Sequence, residues 1–146
     1  VVAMGRLAMG YYPANPLQGV ALIALAGVVA LTLALLGGTR LSTLTNGVVV
    51  FMIYGLAFVG GWIEQFGAFL QNTTAVNLGI AISLAMPAEA MWKRAAYLME
   101  PPILRQLGVH PFAAISAPSR AMVVYAALYV AAVLATAVVL FARRDL

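Results

Sequence analysis

Apolar and polar positions divide the chain into long uncharged runs separated by shorter mixed segments. Three runs dominate: Leu17 to Gly37, Gly47 to Ile63 and Ala121 to Ala142. At ~1.5 Å rise per residue the first and last reach roughly 31 to 33 Å as helices, matching a hydrocarbon core of about 30 Å. The middle run is the shortest, and it spans if Trp62, near its end, sits in the interface and the bilayer adapts. Val1 to Met9, apolar except for Arg6, reads as the last turns of an earlier span. Tyr11-Tyr12-Pro13-Ala14-Asn15-Pro16 then reads as a turn. The pattern predicts an all-α fold, a polytopic transmembrane helix bundle with short re-entrant or interfacial helices, forming one domain over residues 1–146. With neither an initiator methionine nor a signal-peptide pattern at its start, the chain reads as the later part of a longer protein.

The loop Gly38-Thr39-Arg40-Leu41-Ser42-Thr43-Leu44-Thr45-Asn46 is short enough to make its flanking helices antiparallel neighbours, with Asn46 a candidate N-cap. Arg40 reads either as a topological anchor or as a contact to a cytoplasmic partner. Small residues recur every fourth position at Ala26, Ala30 and Ala34, at Ala57 and Gly61, and at Ala127, Ala131 and Ala135. That spacing lets helices approach closely in lipid, and the last trio is a candidate helix-packing face. Tyr125 and Tyr129 share a face of the last helix and suit inter-helix hydrogen bonds, interface anchoring or a polar path.

Residues 64–120 carry most of the individuality. Glu64-Gln65, Gln71-Asn72-Thr73-Thr74 and Asn77 make the first part too polar for an easy lipid-exposed span. The apolar run Leu78 to Met86 is too short to cross and stops at Pro87, which suggests a re-entrant or interfacial element. A full crossing by Phe66 to Met86 is the alternative, and it would reverse the side assigned to every upstream loop. From Pro87 to Pro101-Pro102 the spacing predicts a short amphipathic helix lying in the interface. Ala88, Met91, Trp92, Ala95 and Leu98 fall on one face, and Glu89, Lys93, Arg94 and Tyr97 on the other. Glu89 and Lys93, four residues apart, read as a surface ion pair. Glu64 is the only acid next to an apolar span, and Trp62 beside it places it at the interface.

Composition agrees: 64% of residues are hydrophobic and 8% charged, against roughly 25% charged in an ordinary soluble domain. The net charge of +4 comes from basic residues flanking apolar runs, where they answer to phospholipid and topology rather than to nucleic acid. There is no cysteine, so a disulfide framework and a thiolate metal site are both excluded. The single histidine, His110, lies in a loop and has no second imidazole, which favours a structural or solvated role. With no phosphate-binding glycine-rich loop, any nucleotide hydrolysis belongs to another chain. The pair Arg143-Arg144 after the last run places the C-terminus in the cytoplasm by the positive-inside rule. Arg40 then also falls inside, while Lys93, Arg94, Arg105 and Arg120 fall outside, against the rule.

The order of these features resembles the second half of a type-2 ATP-binding-cassette transporter permease. The resemblance is carried by the Gly-Thr-Arg-Leu-Ser-Thr loop, by Gly60-Gly61-Trp62-Ile63-Glu64-Gln65, by Pro87-Ala88-Glu89-Ala90-Met91-Trp92-Lys93-Arg94, and by the tail Phe141-Ala142-Arg143-Arg144-Asp145-Leu146. It implies a six-helix permease, of which the last three helices are complete here, in a bacterial or archaeal plasma membrane. It also implies a second permease subunit, identical or different, and cytosolic ATPase subunits that bind ATP and Mg, with no cofactor on this chain. By the same resemblance the outer re-entrant segment holds Glu64, Asn77, Glu89, Trp92 and Lys93, which relieves the charge-rule objection. The loop with Thr39, Arg40 and Ser42 faces the ATPase. The family's principal coupling helix lies outside this chain. Two other classes are a non-transporting assembly subunit of a membrane complex, and a membrane-embedded transferase, for which convergent acids and histidines are wanting.

Overall fold

The computed structural model describes residues 15–100 and 118–143, and among them every regular element is helical. Helix α1 is Pro16–Gly38, α2 Thr43–Phe69, α3 Thr73–Ala85, α4 Ala88–Met99 and α5 Arg120–Ala142. Helices α1, α2 and α5 are each long and apolar enough to cross a membrane, and large apolar side chains such as Leu31, Phe51, Leu56 and Leu128 face outward along them. The chain is an all-α membrane protein. The expected span over 1–9, the turn at Tyr11-Tyr12, the stop at Pro101-Pro102, Arg105, His110 and the tail beyond Arg143 lie outside the described residues.

Helix α2 departs most from expectation. It runs for 27 residues instead of stopping at Ile63, and at ~1.5 Å per residue it reaches about 40 Å. Its N-cap is Ser42 rather than Asn46, because the Ser42 backbone is extended and its hydroxyl accepts from the Thr45 N–H at 3.4 Å. Asn46 therefore sits inside the first turn, where its side-chain amide donates across the hairpin to the Ala34 carbonyl of α1 at 2.7 Å. At the far end, Glu64 and Gln65 stay helical because α3 and α4 cover them, leaving both only partly exposed.

A three-residue turn folds α3 back along α2. Gln71 adopts a left-handed backbone with φ 53°, and the N–H groups of Gln71 and Asn72 return to the carbonyls of Ala68 and Gly67 at 3.2 and 2.8 Å. That is the hydrogen-bond pattern of a Schellman helix end, made here with glutamine where glycine is commonest. Asn72 then caps α3 by accepting from the Ala75 N–H at 3.1 Å. Along the antiparallel contact Gly67 meets Ala75, Glu64 meets Gly79, and Gly60 meets Ile82. Gly79 is needed for this approach: a Cβ there would lie 2.7 Å from both the Glu64 nitrogen and the Gly60 oxygen, which are backbone atoms and cannot rotate away.

The chain then breaks at the buried pair Met86 and Pro87, and α4 leaves α3 at 108°. With 13 and 12 residues, neither helix is long enough to cross alone. Terminal carbonyls of α3 are orphaned by the break, and in lipid such groups need donors from within the protein. The Tyr125 hydroxyl donates to Leu84 at 2.7 Å and the Tyr129 hydroxyl to Ala85 at 2.9 Å. Of the uses open to these tyrosines, inter-helix hydrogen bonding is therefore the one adopted. Helix α4 in turn lies across the long helices, with Met91, Ala90 and Ala95 packed on Leu22 and Ala126, and Ala88 and Met86 on Val29 and Ala57.

Two expectations change. Ala127, Ala131 and Ala135 are exposed, and the buried alanines of α5 are Ala126 and Ala137, so the predicted stripe packs against none of the described helices. One residue along a helix is a rotation of about 100°, and α5 is oriented by the tyrosines that bind α3. The polar face of α4 does not look outward either: Glu89 and Lys93 are buried, at 4% and 7% exposure, together with Ala88, Met91 and Ala95 of the apolar face, while Trp92 of that face is 39% exposed.

Replacing Gly79 with alanine is expected to lower stability by about 1 to 3 kcal/mol through overpacking, whereas Asn77→Ala, on the exposed side of α3, should change it by less than about 0.5 kcal/mol. Tyr125→Phe and Tyr129→Phe should each cost about 1 to 2 kcal/mol by stripping a terminal carbonyl of its donor. Unfolding midpoints in detergent measure all four.

Candidate functional site

Glu89 and Lys93 are separated by one helical turn and share a face of α4, as their spacing dictates. That face is turned onto α2, at the one point where α2 presents Gly61. A Cβ on Gly61 would lie 2.8 Å from Lys93 Nζ and 3.0 Å from Glu89 Oε1, so the missing side chain is the niche that admits both groups. Lys93 Nζ donates to the Gly61 carbonyl at 2.9 Å and pairs with Glu64 Oε2 at 3.4 Å.

The surface ion pair expected between Glu89 and Lys93 is thus corrected. Among the described residues the ammonium bridges helices to Glu64, and Glu89 lies beside it without an ion pair. Burial is the reason: an ammonium removed from water takes the acceptors arranged around it, and α2 supplies a carbonyl and a carboxylate in line with the lysine stem. Glu64 is likewise no simple interface residue, because α3 and α4 close over it. Burial pushes the Glu89 carboxyl above the usual carboxylate range; the nearby Lys93 ammonium opposes this and the Glu64 carboxylate adds to it.

Two cavities flank the cluster. One, of about 10 Å³, lies among Phe58, Trp62, Gln65, Glu89, Trp92 and Lys93, and holds about one water molecule's probe sphere. The other, of about 240 Å³, is lined by Glu64, Ile80, Ser83, Ala90, Ser119 and Met122. The Glu64–Lys93 pair stands between them, with Glu64 on the larger cavity and Lys93 on the smaller. Phe58, Trp62 and Phe66 form a ladder at helical spacing on α2, with ring centroids 6.3 and 5.7 Å apart, and its first two rings wall the small cavity. Arg94 ties the same stretch of α4 to the start of α5 by donating to the Pro118 carbonyl.

The remaining predicted residues do not join this cluster. Thr39 is buried and its hydroxyl donates to the Leu36 carbonyl at 2.7 Å, Ser42 caps α2, and Arg40 is exposed. Ser42 and Glu64 lie on α2 about 33 Å apart by helical rise, so the short loop and the cluster are separate features. Asn77 is exposed on α3. Sequence reasoning missed Gly61 as the opening for the charges and read the tyrosines only as one of several uses; the signals were the Gly60-Gly61 pair inside an apolar run and the four-residue tyrosine spacing. Among the described residues no group of three His, Cys, Asp or Glu is placed to hold a metal ion. The cluster holds one ammonium between a backbone carbonyl and a carboxylate, with a second carboxylate beside it. No family model, curated protein or solved structure matches the chain.

Lys93→Met is expected to cost about 3 kcal/mol, because removing one partner leaves the largely buried Glu64 without its counter-charge. The double variant Glu64→Gln with Lys93→Met should cost clearly less than the two single losses combined, and strictly additive unfolding midpoints would show that the pair is not coupled.

Proposed function

We propose that this chain is the membrane-embedded part of a permease subunit of an ATP-binding-cassette transporter. It forms a substrate path, and ATP is hydrolysed with Mg on separate cytosolic ATPase subunits. The observation that carries the reading is the bent pair α3–α4, two helices too short to cross alone, joined at 108° between the last two long helices. The type-2 permeases that the sequence resembles hold short re-entrant helices in that interval. Glu64, Asn77, Glu89, Trp92 and Lys93 lie on or beside that pair, and the reading assigns them to the outer segment.

The reading assigns a role to each exposed feature. The C-terminus and the loop with Thr39, Arg40 and Ser42 lie on the cytoplasmic side, where exposed Arg40 meets the ATPase. The alanine stripe Ala127, Ala131 and Ala135 is turned away from the described helices and faces a second permease subunit, the membrane lipid covering the rest. Alternating access then proceeds by rigid-body movement of the two permease subunits as the ATPases close.

Purification of the full-length protein from its native membrane in mild detergent, followed by mass spectrometry, is expected to yield a stoichiometric subunit with a phosphate-binding glycine-rich loop. Arg40→Glu should reduce that subunit's recovery several-fold. Other membrane subunits in its place, with no ATPase, would replace this reading with that of a non-transporting assembly subunit.

A further inference from the structure

The buried cluster holds one cation for two carboxylates, and its cation is already engaged. Lys93 Nζ is held by the Gly61 carbonyl and Glu64, while Glu89, only 4% exposed, has no ion pair among the described residues. No other described helix brings a compensating charge. Helices α1 and α3 contain no titratable side chain, Arg94 of α4 is bound to the Pro118 carbonyl, and Arg120 of α5 is exposed at its helix start. Tyr125 and Tyr129 are occupied with the carbonyls of α3. A second uncompensated carboxylate at this depth is unfavourable, and the neutral acid is the form that removes the charge without moving the backbone.

We infer that Glu89 binds a proton while Lys93 is held on Glu64, and that the cluster is a proton-exchange site opening through the small cavity beside Trp62 and Trp92. On release, the O–H bond of Glu89 breaks, its electron pair stays on the carboxylate, and the proton passes to water. Lys93 remains an ammonium and is then shared between two carboxylates, which loosens its hold on α2. A cavity of about 10 Å³ with the lysine ammonium beside it suits a proton and a water, and not an alkali ion with its oxygen shell. This site is independent of whether an ATPase partners the chain.

The sign of the stability effect follows. The folded protein holds the Glu89 proton more tightly than the unfolded chain, so the stability it gives is full below the ordinary carboxylate range and is lost as pH rises through the folded value. Infrared spectra of the full-length protein in lipid vesicles, titrated with base, are expected to show a protonated-carboxyl stretch that E89Q removes. E64Q, which frees Lys93 for Glu89, should move the pH midpoint of that band down by about one pH unit or more. E89Q keeps the neutral shape and should also abolish the corresponding decline in thermal midpoint. Should E89Q not fold, the E64Q displacement decides. Absence of the band, a band indifferent to both substitutions, or a midpoint that follows sodium concentration at fixed pH overturns the proposal.

Discussion

Lipid cannot hydrogen-bond, so a helix that ends inside a lipid-facing bundle must find donors within the protein, and the break at Met86 and Pro87 is where this protein meets that demand. Tyr125 and Tyr129 supply two donors from one face of α5, and in doing so fix the rotation of α5 about its axis. That rotation decides which alanines are buried and which look outward. The break itself sets where α4 starts, and hence which residues α4 presents to α1, α2 and α5. A local shortage of hydrogen-bond partners thus organises contacts along the whole bundle.

Close packing does the second part. Helix α2 has adjacent glycines at 60 and 61 and uses them against different neighbours: Gly60 receives Ile82 of α3, and Gly61 receives the charged side chains of α4. An apolar side chain at either position would separate the layers. Because both are absent, a buried ion pair and a tight antiparallel hairpin occupy adjoining faces of the same turn. The Asn46 amide binding the Ala34 carbonyl plays a comparable part at the other end of α2, where one polar group joins two helices that otherwise meet through apolar contact.

The long helices were legible in the sequence because uncharged runs of that length have few other uses, and the bend was legible because Pro87 follows a run too short to cross. The direction of α4 was not. Periodicity groups Glu89 with Lys93 but is silent on which neighbour the group faces, and the ordinary expectation that charges meet water chose the wrong side. The end of α2 was misread for the same reason: Trp62 and Glu64 mark an interface only when nothing covers them, and the cover comes from α3 and α4, residues remote in sequence. The alanine spacing in α5 named the wrong alanines for packing on the described helices: Ala126 and Ala137 are the buried ones, and the tyrosine bonds that orient α5 could not be read from that spacing.

The Glu64–Lys93 bridge joins residues 29 positions apart, and translation delivers them in that order. Until α4 docks, the polar last turns of α2 have no shelter and Glu64 lacks the ammonium that pairs with it in the folded bundle. The end of α2 is thus completed by a later segment of the chain, and this end of the bundle is finished only when α4 packs onto it.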